Sequence, residues 1–341
     1  MAPGAWDTVI LGGGPVGLTT ALIAARQGGV LVVLPRQAHA RTPLRIDCVP
    51  VSLLALFIEL GLHPAELGVT AVHHHRLVAW DSAAPQVVGS AGTVHIMRPI
   101  LERRLLEQVS AHRAITIVTD ARFGALPAAG RFLDATGRRA VTAEHRYLPA
   151  NPAVLRASIV RGAFSRAQQA FRLASLPTGY AYRLGTRDML MLGLVQGREQ
   201  WRASAGRLAE KLGAAGVEWL GAGMPRAAHE SSSGGVASVQ WSSGSGRAIR
   251  IGDAAVARDA LASQGIANGI SAGLSLFEGL DAGKSYCRRT RTEILSHLTT
   301  LQQLIRSCAH SAHPFWENYG DFIARATVAH RDVVEPGDTS R

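Results

Sequence analysis

Apolar runs alternate with glycine-rich and polar breaks from the start of the chain. The run that ends at Leu11 predicts a strand, residues 18–26 predict a helix, and residues 30–34 predict a second buried strand. Gly28 and Gly29 separate that helix from the second strand. The order strand, helix, strand predicts an α/β fold built on a parallel sheet.

Later apolar patterns predict further elements of both kinds. Residues 71–94 mix short β-like runs with Pro, Gly and Ser, which indicates a small sheet outside the first α/β unit. Helices are predicted at 51–60, 100–109, 203–212, from 264 and across 284–330, and strands at 115–118, 132–134, 180–184, 189–194 and from 248.

The first glycine-rich break contains the most specific motif in the chain. Gly12 turns the backbone off the strand, Gly14 leaves room for a pyrophosphate, and Gly17 lets the following helix pack closely on the strand. Pro15 and Val16 open that helix, whose N–H groups face the phosphate charge. The pattern predicts a dinucleotide site, and a glycine turn without a nucleotide is the alternative interpretation.

The second strand lacks the acidic residue that usually follows it. In this kind of site an acidic side chain roughly 20 residues beyond the glycines accepts hydrogen bonds from a ribose hydroxyl. Pro35 stands there instead and is followed by Arg36. The ribose must therefore be held in another way, and Arg36 is either a cofactor contact or a plain surface charge.

A second motif lies far from the first, where Gly252 and Asp253 follow a short apolar strand and Gln264 and Gly265 open a helix. This combination resembles flavoproteins of the para-hydroxybenzoate hydroxylase and glutathione reductase group. The resemblance implies that Asp253 lies near sugar hydroxyls of FAD and that Gln264 and Gly265 contact the isoalloxazine. A helix N-terminus at that place stabilises the negative charge of reduced flavin.

Four more residues acquire a role through the same resemblance. The turn from Asp134 to Gly137 is similar to the middle motif of the group, and Arg45 and Arg98 stand where its members commonly have arginines near the cofactor. Because the three motifs occur in the order typical of that group, the sequence predicts FAD as the cofactor.

The implied fold class is α/β, with a Rossmann-like FAD-binding domain of this type, an inserted α+β substrate domain and C-terminal helices. The predicted FAD-binding domain is discontinuous and comprises 1–60, 95–150 and 240–283. The substrate domain comprises 61–94 and 151–239, and a C-terminal helical cover comprises 284–341.

Similarity to a narrower group spans nearly the full length. The strings at 45–50, 179–184, 237–241 and 252–265 look like those of the LodB-like flavoproteins, which are similar to tryptophan halogenases and mature tryptophylquinone enzymes. The resemblance implies an FAD-dependent monooxygenase that hydroxylates a tryptophan of a peptide or protein precursor through C4a-hydroperoxyflavin. It would use O2 and electrons from NAD(P)H or a reductase. The halogenase relatives have an early lysine and a Trp-x-Trp-x-x-Pro string that this chain lacks, so hydroxylation is favoured over halogenation.

Other functions stay open beside this one. The same cofactor could serve hydroxylation or halogenation of a free small aromatic molecule, and the fold could also belong to a non-catalytic maturation factor. Tyr180, Tyr182 and Trp241 are candidates to stack on an aromatic substrate, with core packing as the alternative.

Three side chains outside the motifs are candidates for acid–base chemistry. His73 and His75 qualify if they lie over the flavin, although a packed or solvated histidine cluster is the simpler interpretation. Adjacent residues of a strand point to opposite faces, so no metal site is predicted there. Asp259 either orients the substrate or a proton transfer, or caps a helix.

Composition adds expectations about partners. The 341 residues have a net charge of +11 that comes almost wholly from scattered arginines, without a nucleic-acid recognition module, so no nucleic-acid partner is predicted. The three cysteines lack metal or disulfide spacing, and no apolar run reaches the roughly 18 residues of a membrane span. With a first strand close to Met1, these features predict a cytoplasmic protein without a membrane partner. They predict no oligomeric state.

Overall fold

The structure of the chain is a computed structural model. It describes residues 6–34, 44–69, 71–81, 84–119, 129–147, 153–197, 235–236, 240–243, 248–259, 261, 265–277 and 282–332. In this part of the chain, no helix is both long enough and apolar enough to span a membrane.

The described residues form a mixture of strands and helices. The strands are β1 (Trp6–Leu11), β2 (Val30–Leu34), β3 (Ile46–Pro50), β4 (Val72–Ala79), β5 (Gln86–Met97), β6 (Ile115–Thr119), β7 (Ala129–Asp134), β8 (His145–Tyr147), β9 (Ala153–Arg161), β10 (Arg172–Leu176), β11 (Gly179–Gly185), β12 (Met189–Gly197), β13 (Gly235–Val236), β14 (Gln240–Ser243), β15 (Ala248–Arg250) and β16 (Val256–Ala257). The α-helices are α1 (Pro15–Ala24), α2 (Ser52–Glu59), α3 (Arg98–Ala111), α4 (Arg166–Gln169), α5 (Gly265–Ser275), α6 (Ala282–Arg306) and α7 (Pro314–Asp332).

A five-stranded parallel sheet carries the first motif. Its order is β15-β7-β1-β2-β6, and every neighbouring pair is parallel. Val9, Ile10 and Leu11 of the central strand β1 are fully buried, as in sheets that are covered on both faces. α1 connects β1 to β2, which confirms the predicted strand–helix–strand unit and the α/β class.

A second, eight-stranded sheet lies beside the parallel one. Its order is β13-β9-β12-β11-β10-β4-β5-β3, and only the β4–β10 pair is parallel. The strands predicted at 71–94 lie outside the parallel sheet, as expected, but they do not form a small sheet of their own, because β4 and β5 join β9 to β13 in this large sheet. Pairing of Leu77 with Arg172 depends on residues far apart in the chain, which a local pattern cannot reveal.

Two large hydrophobic cores among the described residues hold these layers together. In the first, α1, α3 and α5 pack between the parallel sheet and the large sheet, to which Val94 and Ile96 belong. In the second, α6 and α7 pack on the large sheet through residues such as Leu298 and Trp316. The helical C-terminal segment expected at 284–330 is thus an antiparallel helix pair that covers the large sheet.

The sheet boundaries do not coincide everywhere with the predicted domain boundaries. β3 belongs to the large sheet although it falls within 1–60. A third sheet of order β16-β14-β8 joins strands from two distant parts of the chain. The division into domains stays a prediction, and the helix predicted at 203–212 lies outside the described residues.

Candidate functional site

The three sequence motifs meet at the carboxyl edge of the parallel sheet. β1, β7 and β15 lie side by side, so the turns that follow them are adjacent. The amide of Ala135 donates a hydrogen bond to the Leu11 carbonyl, and the amide of Ile251 donates one to the Asp134 carbonyl, each over 2.8 Å. This edge is where open parallel sheets bind their ligands.

The glycine turn after β1 has the geometry of a phosphate cradle. Gly12 has φ +111°, and a Cβ there would overlap the carbonyl of Ala135. A Cβ on Gly17 would overlap the Gly12 carbonyl, so α1 packs against the turn without room for a side chain. Gly14 differs, because a Cβ there would have no heavy atom within 4 Å. The space beside Gly14 is therefore the part of the turn that a ligand can approach.

The start of α1 faces the same space. Gly14 is the N-cap and offers no side-chain cap, while Pro15 at the first helical position has no amide hydrogen. The first bond within the helix runs from the Leu18 amide to the Gly14 carbonyl over 3.0 Å. The preceding amides of Val16 and Gly17 point out of the helix end, an arrangement that suits a phosphate.

Asp134 shapes the neighbouring turn from within. Its side chain is fully buried, and Oδ1 accepts hydrogen bonds from the amide and hydroxyl of Thr136 at 2.9 and 2.6 Å. Oδ2 accepts from the amide and hydroxyl of Thr142 at 2.9 and 2.8 Å. Thr136 lies within the predicted turn motif, whereas no local motif singles out Thr142. Asp134 therefore fixes the shape of the turn and does not face a ligand itself. Gly137, which has open space around its Cβ position, is the residue of this motif that a ligand can reach.

The turn at Gly252 packs directly on the glycine turn. A Cβ on Gly252, whose φ is +58°, would lie 3.2 Å from the Val16 side chain. Asp253 is 41% exposed, and its Oδ1 lies 3.4 Å from the Cβ position of Gly265, where α5 begins. The structure therefore brings Asp253 and the start of α5 together. Two predicted cofactor residues lie outside the described part of the chain: Arg36 and Gln264.

Two of the predicted cofactor arginines, Arg45 and Arg98, share one carboxylate. Asp47 lies 3.0 Å from Arg45 Nε and accepts a hydrogen bond from Arg98 Nη1 at 3.1 Å. Burial raises the pKa of Asp47, but the two arginines lower it more, so the net shift is downward. Arg98 also donates to Glu102 over 2.9 Å. Arg45 keeps a side chain that is 43% exposed and can meet an anion, whereas Arg98 is engaged by two carboxylates.

The two tyrosines predicted for the substrate layer have different surroundings. Tyr180 is fully buried, and its hydroxyl donates to Asp259 over 2.6 Å. Burial raises the pKa of Tyr182 to about 12, while nearby Arg45 opposes the shift. Tyr182 therefore lies near Arg45 and keeps its proton at neutral pH. The side chain of Trp241, on β14, lies outside the described residues.

The two predicted histidines of β4 differ in exposure, because His73 is half-buried and His75 is exposed. A β-bulge lies between His73 and His75, and His75 faces solvent. His73 packs against His95, with ring centroids 5.0 Å apart. Burial lowers the pKa of His95 to about 3, partly offset by its 2.6 Å contact from Nδ1 to the Gly185 carbonyl. His95 was not predicted, and it is neutral near neutral pH. Where the chain is described, no group of three or more His, Cys, Asp or Glu side chains could hold a metal ion.

Asp259 lies at the centre of a buried hydrogen-bond cluster. Its Oδ1 accepts hydrogen bonds from the Tyr180 hydroxyl and, over 2.8 Å, from the Leu261 amide, while Oδ2 accepts one from the Tyr319 hydroxyl. Burial raises the pKa of Asp259 more than these bonds lower it. Tyr319 lies on α7, 60 residues along the chain, and no sequence motif marks it.

This combination of a parallel sheet with a glycine turn, a large mixed sheet and C-terminal helices is the fold of flavin-dependent monooxygenases and halogenases. It agrees with the fold class that the sequence resemblance implied. No family model and no curated protein sequence matches the chain.

Three solved structures illustrate the likeness. The myxobacterial chondrochloren halogenase CndH is 17% identical with a TM-score of 0.74, over 98% of this chain and 92% of CndH. QhpG, a peptidyl tryptophan dihydroxylase essential for tryptophylquinone cofactor biogenesis, is 19% identical with a TM-score of 0.67, over 92% of this chain and 78% of QhpG. PqsL from Pseudomonas aeruginosa, solved with 2-aminobenzoylacetate, is 18% identical with a TM-score of 0.68, over 92% of this chain and 99% of PqsL.

Proposed function

We propose that this chain is an FAD-dependent monooxygenase that hydroxylates an aromatic side chain, with a tryptophan of a peptide or protein precursor as its substrate. The observation that carries the proposal is the meeting of three motifs at one sheet edge: the glycine turn, the 134–137 turn and the Gly252 turn. The structural likeness to QhpG, whose substrate is a peptidyl tryptophan, supports the choice of substrate.

The residues at this edge fit FAD. The open space at Gly14 and the amides of Val16 and Gly17 suit its pyrophosphate. Arg45 adds a positive charge at a half-exposed position, and the exposed Asp253 carboxylate can accept hydrogen bonds from sugar hydroxyls. The start of α5 at Gly265 would face the isoalloxazine.

The chemistry divides between cofactor and protein. FAD, when bound, accepts electrons from NAD(P)H or a reductase and activates O2 for transfer of an oxygen atom. The protein's part is to orient the aromatic substrate, keep water out and hold protons at fixed atoms. The buried hydroxyl of Tyr182 keeps its proton at neutral pH because its pKa is about 12, so it can act as a hydrogen-bond donor.

A second candidate is the oxygenation of a free small aromatic molecule by the same cofactor. The observation that favours it is the structural likeness to PqsL, which was solved with 2-aminobenzoylacetate and is covered over 99% of its length. Both candidates use one cofactor site, so they differ only in the substrate that reaches it.

The proposal that FAD binds at this edge can be tested by adding one methyl group at Gly14. Gly14→Ala is compatible with the fold, because Gly14 has φ −78° and nothing lies within 4 Å of the added Cβ. The methyl group would occupy the space proposed for the pyrophosphate. Titration of purified protein with FAD, followed by flavin fluorescence, is expected to show a Kd at least about tenfold higher than in the wild type, or about 1.4 kcal/mol. Gly89→Ala on β5 is the matched control, since its Cβ position is equally open and far from the turn.

Three outcomes contradict the proposal or its substrate. Absence of FAD binding by the wild type, or an unchanged Kd in Gly14→Ala, rejects the cofactor site. With FAD bound, mass analysis after incubation with a reductant, O2 and either a tryptophan-containing precursor peptide or 2-aminobenzoylacetate distinguishes the two candidates. An oxygen gain confined to the small molecule rejects the peptide substrate.

A further inference from the structure

The Asp259 cluster connects three separate elements through one carboxylate. Tyr180 belongs to β11 of the large sheet and Tyr319 to α7, while Asp259 itself follows the strand β16. All three side chains are at most 4% exposed. The aromatic rings are fixed by packing, because the Tyr180 ring stacks on Trp316 with a centroid separation of 6.5 Å. The partners of Asp259 therefore cannot move freely away from it.

The backbone around Asp259 is also anchored. The Asp259 amide donates to His297 Nε2 over 3.3 Å, and the carbonyl of Arg258 accepts a hydrogen bond from Arg138 Nη2 over 3.0 Å. The Arg258 side chain in turn donates to Glu293 over 2.7 Å. Helix α6 and the 134–139 region thus hold the same short segment that the tyrosines hold.

The position of this segment in the chain suggests what the cluster is for. Asp259 lies between the Gly252–Asp253 turn and the start of α5 at Gly265, the two features that the proposed function assigns to the flavin. A carboxylate buried among neutral donors is a poor source of stability, because the donors replace only part of its lost hydration. A role in fixing the geometry explains its presence better than a role in stability.

We propose that Asp259 is a positioning residue that fixes the segment 252–259 and thereby directs the N-terminal end of α5 at the flavin ring. Tyr180 and Tyr319 are its anchors, so the large sheet and the C-terminal helix set the geometry of the cofactor contact. The inference rests on the proposed function, since it assumes that FAD binds at this edge. The positive end of α5 stabilises negative charge on the reduced ring only while it is held in place.

The test compares Asp259→Asn and Tyr319→Phe with Ser175→Ala. Ser175 pairs across the strands with Tyr180 and loses an equally buried hydroxyl bond, to the Trp80 carbonyl, without touching Asp259. Hydrogen exchange of the apoprotein is expected to accelerate at 252–259 and at the start of α5 in Asp259→Asn and, more weakly, in Tyr319→Phe. With FAD, Asp259→Asn is expected to raise the Kd about tenfold and to make the flavin reduction potential more negative.

Each outcome of this test either supports or overturns the positioning role of Asp259. Unchanged local exchange and an unchanged reduction potential in both variants overturn the inference, as does an equal effect of Ser175→Ala, which would indicate a general loss of core packing. Local acceleration in a protein whose wild type binds no FAD would reject the flavin role and the proposed function together, while retaining the anchoring of the segment. If Asp259→Asn does not fold, Tyr319→Phe carries the same comparison, because it removes one donor and leaves the carboxylate.

Discussion

Two buried carboxylates mark two regions of this molecule and are stabilised in opposite ways. Asp47, where β3 meets α3, is paired with the cations Arg45 and Arg98. Asp259, between the large sheet and the C-terminal helices, is held by the neutral hydroxyls of two tyrosines. The pKa of Asp47 is lowered and that of Asp259 is raised, although both are buried.

The difference shows what each region requires. At Asp47 two cations more than compensate for burial, and the Arg45 side chain remains 43% exposed. At Asp259 the neutral donors fix direction and distance but do not compensate for burial. The charges around Asp47 stabilise its ionised carboxylate. The neutral donors around Asp259 instead fix the position of its side chain.

Removal of the Asp47 charge is expected to have the largest effect. Asp47→Asn leaves Arg98 with Glu102 as its remaining carboxylate partner. Breaking a buried ion pair usually costs about 3–5 kcal/mol, and the retained partner places this variant near the lower end, at about 3 kcal/mol of unfolding free energy. Urea denaturation at neutral pH measures it.

A control on the same helix separates this effect from a general loss of charge on α3. Glu107 pairs with Arg104 at the surface, 51% and 36% exposed, so Glu107→Gln is expected to cause no measurable change. If Asp47→Asn and the wild type had equal unfolding free energies, the ion pairs of Asp47 would not stabilise the fold. The contrast between Asp47 and Asp259 would then be wrong.

His95 is a third buried titratable group, and no opposite charge among the described residues compensates for its burial. Its folded pKa of about 3 lies below the ordinary 6.5, because burial outweighs its contact with Gly185, and His73, Arg76 and Arg183 add to the shift. The neutral form contributes stability that is full above pH 6.5 and is lost as the unfolded state takes up a proton at lower pH. The loss from neutral pH to about pH 5 is about 2 kcal/mol.

The variant His95→Asn removes this titration. Its unfolding free energy, measured by urea denaturation at each pH, is expected to fall by about 2 kcal/mol less than that of the wild type between neutral pH and about pH 5. Identical pH slopes for the two proteins would contradict a depressed pKa at His95.

The smallest expected effect is also the most direct comparison of the two carboxylates. Asp47 has a folded pKa below its unfolded value, so its contribution to stability grows as the pH rises through that range. Asp259 has a folded pKa above its unfolded value, so its contribution is full at low pH and declines as the pH rises through the folded pKa. Between about pH 3 and 7 the destabilisation by Asp47→Asn should grow and that by Asp259→Asn should shrink, as measured by denaturation at each pH. Parallel curves would contradict the opposite pKa shifts.

The sequence predicted the features that local patterns determine. The glycine turn, α1 and β2 follow from a contiguous stretch, and the meeting of Asp134 with Gly252 follows because carboxyl ends of parallel strands share an edge. The observed sheets and the structural neighbours confirm the predicted fold class. Asp259 is a candidate from the sequence because it follows the Gly252–Asp253 motif closely.

The partners of these residues could not be predicted. Tyr319 meets Asp259 only after α7 has packed on the large sheet, and His95 meets Gly185 across 90 residues. Asp47 stands between two arginines only once α3 has folded against β3. Such contacts depend on tertiary packing, which leaves no periodic or motif-like pattern in a single sequence.

The parallel pairing of β4 with β10 has a consequence for how the chain folds. Most strands of the large sheet pair with near neighbours: β4 with β5, and β9 to β12 among themselves. Among the described strands, the β4–β10 ladder is the backbone pairing that joins these two halves, across about a hundred residues, and long-range closures of this kind are slow. Each half can form early as an antiparallel unit. The joining of the halves is then the slow event in forming the surface on which α6 and α7 dock.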